Sequence, residues 1–223
     1  VQDVIASRPS TDAAPARRTQ AERTASTVDA LLKATIDCLV DVGYANTTTR
    51  LVAERAGVSR GAQTHHFPTK VDLVVAAVGQ LFDQQARRFQ EAFRLLPADR
   101  RTLDQAVSLL WDIVSGPSYP AVLEVTVAGR TDPELRVVVH GTSTVLENIV
   151  VGLLQEFFPA FADERLARTI IDVGFTLVQG AAVSGYAGFG DPERTIRLVK
   201  WISSLLTPET ADLLKGTLDV LDA

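Results

Sequence analysis

Thr47-Thr48-Thr49-Arg50-Leu51-Val52-Ala53-Glu54-Arg55-Ala56-Gly57-Val58-Ser59-Arg60-Gly61, continuing to His66-Phe67-Pro68-Thr69-Lys70, is the stretch that decides the fold. It reads as two short helices joined at a glycine. Thr48 is placed to cap the first, Gly57 to end it and Ser59 to cap the second. A hydroxyl before a helix accepts from its free N–H groups, and glycine takes the positive φ that a tight turn demands. Ala53 and Gly57 stand four apart, where crossing helices leave room only for small side chains, and Val52, Ala56 and Val58 supply the apolar contacts. The outward residues are basic and hydroxylic. That is the layout of a helix-turn-helix whose second helix enters the DNA major groove.

Helix signals continue on both sides. Val28, Leu31, Leu32, Leu39 and Val42 fall at helical spacing and predict a first helix that Gly43 stops. Thr69-Lys70-Val71-Asp72 resembles a capping box and opens a long helix to about Phe93. Further helices are expected around 100–115 and 118–130, and from Asp163. Asp132-Pro133-Glu134, Asp191-Pro192-Glu193 and Thr207-Pro208-Glu209 each place a cap, a proline at the first helical position and an acid in the first turn. About ten helices and almost no strand signals predict an all-α protein. The expected order is a flexible, Pro/Ala-rich arm (1–18), a three-helix DNA-binding domain (19–70) and a larger C-terminal helical bundle (71–223).

The chain has 223 residues, 46% hydrophobic and 22% charged, enough for a real core in one large or two small domains. Its net charge of −5 looks unfavourable for a phosphate-binding protein until it is divided. Residues 17–70 carry eight Arg/Lys against five Asp/Glu, a balance of +3; residues 71–223 carry thirteen against twenty, a balance of −7. Such asymmetry is expected when only the N-terminal part meets phosphate. Arg17, Arg18 and Arg23 read either as a basic arm for an adjacent groove or as a solvated tail.

The single cysteine, Cys38, excludes an internal disulfide framework, reads as a small core residue and fits a reducing cytoplasm. No apolar leader is visible at the N-terminus. Val173 to Gly190 is uncharged over eighteen residues but holds Thr176, Gln179, Ser184 and five glycines. It reads better as a helix buried between subunits than as a membrane span. His65 and His66 project about 100° apart on a helix and cannot share one metal ion. No cofactor is expected, and neither a nucleophile elbow nor a phosphate-binding glycine loop is present, so the expectation is not an enzyme.

Thr48, Thr49 and Ser59 can offer hydroxyls to phosphates, while Arg50 and Arg60 stand at the helix ends that reach base edges. Gly43-Tyr44, Thr47-Thr48-Thr49-Arg50, Ala56-Gly57-Val58-Ser59-Arg60-Gly61, His66-Phe67 and Thr69-Lys70 together resemble the N-terminal domain of the TetR/AcrR family of transcriptional regulators. The resemblance covers about Val28 to Val78; beyond it the match is one of character only. It implies that Thr48 and Lys70 hold the DNA backbone, that Arg50, Arg60 and Ala62 lie near base edges, and that His66 is near phosphates. Two positions depart from the family pattern. Gln63 replaces a common apolar residue and either reads adenine or covers the turn, and Thr64 replaces a frequent tyrosine. The expected DNA-contacting set is Thr48, Thr49, Arg50, Ser59, Arg60, Gly61, Ala62, Gln63, Thr64, His66 and Lys70.

In the C-terminal part, Leu135, Val138, Val139, Thr142, Val145, Leu146, Ile149, Leu153 and Phe157 form an amphipathic stripe. Gly174, Val178, Ala181 and Gly185 form a small-residue face, and the helix from Asp191 is apolar over most of its circumference. These features, with the family resemblance, predict a homodimer through about 163–187 and 191–206. The resemblance further implies a palindromic double-stranded operator, with reading helices about 34–36 Å apart, release by a small apolar or aromatic effector, and repression as the common mode. Trp111, Leu123, Val127, Leu146, Phe157, Phe175 and Gln179 are the candidate effector contacts, each with plain core as its alternative. The competing reading is a helical small-molecule carrier or adaptor with a non-functional helix-turn-helix.

Overall fold

The computed structural model describes residues 19–221, apart from the side chains of Val138, Thr142, Ser143, Leu146 and Leu221. The N-terminal arm, with Arg17 and Arg18, lies outside the described residues. Ten α-helices follow in order. They are α1 (Gln20–Asn46), α2 (Thr49–Ala56), α3 (Arg60–His66), α4 (Lys70–Leu95), α5 (Leu103–Val114), α6 (Tyr119–Gly129), α7 (Pro133–Phe157), α8 (Glu164–Tyr186), α9 (Pro192–Ser204) and α10 (Pro208–Leu221). Short 3-10 turns at Ala98–Arg100 and Pro159–Phe161 complete the chain, and no strand occurs among the described residues.

Local chemistry sets the boundaries. Thr48, Ser59, Thr69, Asp132, Asp163 and Asp191 each accept a backbone N–H from the first turn of the helix that follows. Thr69 and Asp72 close a full capping box, so the shorter acidic side chain still reaches back to the cap. Gly57 ends α2 in the left-handed region, at φ 67°. Gly43 does not end α1. It kinks the helix at φ 74°, ψ 169°, after which one further turn leads into Thr47.

Two cores share α1 and α4. In the reading head, Leu31, Leu32, Cys38 and Val52 pack with Leu73 and Ala77. One residue further round each long helix, Leu39, Val74 and Val78 pack instead with Ala121 and Val125 of α6 and Leu135 of α7. The rest of the bundle is built from α5, α8 and α9 around Val114, Val178, Ile196 and Val199. A fourth cluster, with Val151, Leu154, Phe161, Leu166 and Ala211, holds α10 against α8 and the second 3-10 turn.

The small-residue face of α8 has a different role from the one expected. Val178 and Ala181 are buried in the protein's own bundle, and the Gly185 Cα faces the Pro192 ring at the start of α9. Small residues there let α9 and α5 approach α8 within one chain. The outward face of α8 instead presents Val173, Leu177 and Val183. By length and composition alone α8 could cross a membrane. The amphipathic stripe of α7 also holds only in part: Leu135 and Leu153 are buried, whereas Val145 is exposed.

Gly43 occupies a backbone region that is open essentially to glycine alone, and a Cβ there would lie 2.8 Å from the Glu124 Oε2. Gly43→Ala is therefore expected to lower unfolding free energy by roughly 1–3 kcal/mol from the backbone alone. The shift would be read from the midpoint of a urea denaturation curve.

Candidate functional site

Helices α2 and α3 are joined by a three-residue turn, in which Val58 N–H donates to the Ala53 carbonyl (3.0 Å). Thr48 accepts from Leu51 N–H (3.1 Å) and Ser59 accepts from Ala62 N–H (3.2 Å). Both capping contacts use a lone pair, so each hydroxyl keeps its hydrogen for another acceptor, such as a phosphate oxygen.

Arg60, Gly61 and Thr64 are exposed on α3, and at 100° per residue they fall on one face. Ala62 and His66 lie at its half-buried flank, and Arg50 and Thr48 are exposed beside it on the preceding elements, with Thr49 half-buried. His65, absent from the expected set, belongs to this face as well. It is exposed, one helical turn beyond Gly61, with its ring edge-on to that of His66 at 5.2 Å. A helical projection of Arg60, Gly61, Thr64 and His65 identifies it from sequence.

Gln63 is corrected. It is only 2% exposed, and its Nε2 donates to the Phe67 carbonyl at 2.6 Å. It covers the turn and satisfies a backbone acceptor at the end of α3, so it does not reach a base. The neighbouring arginines divide similarly. Arg55 is held by Asp41 of α1 at 2.6 Å, whereas Arg50 and Arg60 form no ion pair among the described residues.

Lys70 and Tyr44 form the joint between head and bundle. The Lys70 ammonium donates to the Tyr44 carbonyl and lies 3.9 Å from the centre of its ring. Tyr44 N–H donates to Glu124 of α6 (2.8 Å), and its hydroxyl donates to Asp132, the cap of α7, over a long 3.4 Å. Burial lowers the Lys70 pKa from its ordinary value, with Asp132 pulling the other way. Burial, aided by Asp132, raises that of Tyr44. Lys70 is thus tied to the joint through one of its three donors, a role the sequence reading missed.

Inside the bundle a cavity of about 350 Å³ lies among α5, α8, α9 and α10, with Phe89 of α4 and Val150 of α7 in its wall. Phe175 lines it; Trp111, Leu123, Val127, Phe157 and Gln179 do not. Val127 is 67% exposed on the surface of α6. Trp111 and Leu123 pack against the α5–α8–α9 core. Phe157 stacks edge-on with Phe93, and the Leu146 side chain lies outside the described residues. Gln179 donates to the Tyr119 hydroxyl at 2.6 Å. Tyr119 lines a second, much smaller space that shares Phe89, Leu110, Val150 and Phe175 with the first. The apolar stripe in the sequence marks which helices are buried, not where their packing leaves a gap. Among the described residues no group of three or more His, Cys, Asp or Glu side chains could hold a metal ion.

This arrangement defines a helix-turn-helix transcriptional regulator. Residues 31–77 match the model of the bacterial regulatory proteins of the tetR family. The HTH-type transcriptional regulator CymR of Pseudomonas putida is 35% identical over 177 residues, covering 76% of this chain and 84% of that protein. The chain belongs to the TetR family. An uncharacterized HTH-type transcriptional regulator of Mycobacterium tuberculosis is 39% identical over 119 residues, 53% of this chain; the match spans 61% of that relative's length. Among solved structures, a TetR-family regulator from Rhodococcus sp. superposes with a TM-score of 0.67 at 19% identity, covering 82% of this chain and 98% of that one. FadR of Bacillus subtilis, solved in complex with stearoyl-CoA, superposes at 0.61 with 18% identity, covering 78% and 96%.

Two outcomes follow from the buried polar groups. Gln63→Leu is expected to leave the preferred DNA sequence unchanged in a selection from random duplexes; a changed base at any position would restore Gln63 as a reader. Burial raises the Tyr119 pKa to about 12 against an ordinary 10.0, partly offset by Gln179. A raised folded-state value means that its contribution is complete below pH 10 and is lost as pH climbs through 12. An ultraviolet titration should therefore show a last phenolate step near pH 12 that Tyr119→Phe abolishes.

Proposed function

We propose that the chain is a homodimeric, ligand-responsive repressor that binds a roughly palindromic operator through α3. The observation that carries this reading is the α3 face itself. Arg60, Gly61, Thr64 and His65 are exposed together on a doubly capped helix-turn-helix, with Arg50 and Arg60 free of ion pairs among the described residues. Thr48, Thr49 and Ser59 serve the phosphates, Arg50 and Arg60 the base edges, and Ala62, His66 and Lys70 the flanks of the contact.

A seven-residue helix reads only a few base pairs, so a second copy is needed for a full site. The face suited to hold it combines Val173 and Leu177 of α8 with Leu198, Trp201 and Leu205 of α9. All five are exposed, Trp201 at 59%. Large apolar side chains gathered on two adjacent helices mark an association surface.

The working division is a head of residues 19–70 and a bundle of 71–223, with α4 running from one into the other. A small apolar effector in the bundle cavity would favour a dimer whose reading heads are wrongly spaced, which requires tighter binding to that state. The Tyr44 joint, linking α1, α4, α6 and α7, is the mechanical route. FadR of Bacillus subtilis, a protein of the same fold solved in complex with stearoyl-CoA, supports a ligand-binding role.

Selection of duplexes from a random pool by the full chain tests the reading. Arg60→Ala is expected to weaken binding to the selected sequence by about 1–3 kcal/mol and to relax preference at one position per half-site. Trp201→Glu is expected to give a monomer with much weaker operator binding. Absence of salt-sensitive DNA binding would instead favour a ligand carrier.

A further inference from the structure

The large cavity is defined by what its wall lacks. Among the described residues its only polar side chains are the hydroxyls of Thr169, Ser203 and Thr217. Each donates its hydrogen to its own helix: Thr169 to the Arg165 carbonyl (2.9 Å), Ser203 to Lys200 (2.8 Å) and Thr217 to Leu213 (2.9 Å). The backbone N–H groups of the lining residues inside the helices serve their own ladders, and only Leu103 lies at a helix start. The described wall therefore offers no free side-chain donor and no cation. A carboxylate or phosphate placed inside would lose its water and gain no charged partner in return.

The same cavity is open on one side. Val173, Leu177 and Ile202 line it and are nevertheless 56%, 39% and 41% exposed. Val173 and Leu177 are successive turns of α8, and Ile202 follows Trp201 on α9, so the opening lies on the face proposed to meet a second copy. The reading head independently requires that second copy, and the opening is continuous with the surface that would hold it.

We infer that the cavity takes the uncharged hydrocarbon body of an effector and is closed on its α8–α9 side by the partner protomer. The inference rests on the dimer reading above. It makes the site incomplete in one chain, so that ligand and dimer stabilise each other by the same factor. A charged group carried into the closed cavity would stay unpaired, so the effector that fits is neutral.

The test uses the full chain, 1-aminoanthracene as a neutral fluorescent probe, and sedimentation to follow the dimer. At a pH where decanoate is fully ionised, 1-decanol is expected to displace the probe at a concentration at least about tenfold lower than decanoate does. Diluting the chain below its dimer dissociation constant should weaken probe affinity by about tenfold or more, and saturating probe should tighten the dimer equally. Ala106→Phe, which fills the cavity, should abolish binding while the dimer persists.

Equal displacement by decanoate overturns the donor-free assignment. Probe affinity that is unchanged on dilution, or unchanged in a monomeric Trp201→Glu chain, overturns closure by the partner. Probe binding that survives Ala106→Phe, or that never saturates, removes the cavity as the site. A chain that is monomeric at every concentration removes the dimer reading and the closure with it, while the preference for decanol over decanoate stands or falls separately.

Discussion

Leu73 and Ala77 of α4 are sealed into the core of the reading head, while Val74 and Val78, on the adjacent face of the same helix, are sealed against α6 and α7. That double membership is the constraint on which the rest of the structure depends. A rigid helix packed on both sides cannot move for one core without disturbing the other. The Gly43 kink adds a second tie, since it turns the Tyr44 N–H towards Glu124 and brings its carbonyl to Lys70. Reading head and bundle are therefore one mechanical system, although their charge balance and residue types differ.

Within that system the polar residues fall into two groups. Arg55, Lys70 and Gln63 are occupied internally, by Asp41, by Tyr44 and by the Phe67 carbonyl. Arg50, Arg60, Thr64 and His65 are left to solvent. The second group occupies a single surface around α3. The bundle shows the opposite arrangement, with an apolar cavity whose few hydroxyls are turned back onto their own helices. The α3 surface offers charge and side-chain donors, and the described wall of the cavity offers neither.

Much of this was legible before any coordinates. The hydroxyl and acidic caps, the prolines at first helical positions and Gly57 act over a single turn, so Thr48, Ser59, Thr69, Asp132 and Asp191 revealed their helices directly. Local periodicity likewise placed Leu31, Leu32 and Leu39 on the buried face of α1. Where the reading failed, the deciding contact was remote in sequence. The α8 small-residue face was assigned to a partner because nothing local shows that α9 folds back over it. The tie of Lys70 to Tyr44 went unseen because it spans 26 residues.

The amino-acid sequence by itself determined the all-α class, the capped helix-turn-helix and the segregation of positive charge towards the N-terminus, because each follows from interactions within a turn or from composition. Only the tertiary structure decided which of several outward polar residues stay free. Only it showed that Gln63 is buried, that Val127 faces water and that the cavity opens between α8 and α9. Those outcomes depend on how ten helices leave or fill space between them, and packing of that kind is a property of helix pairs that no single stretch of chain encodes.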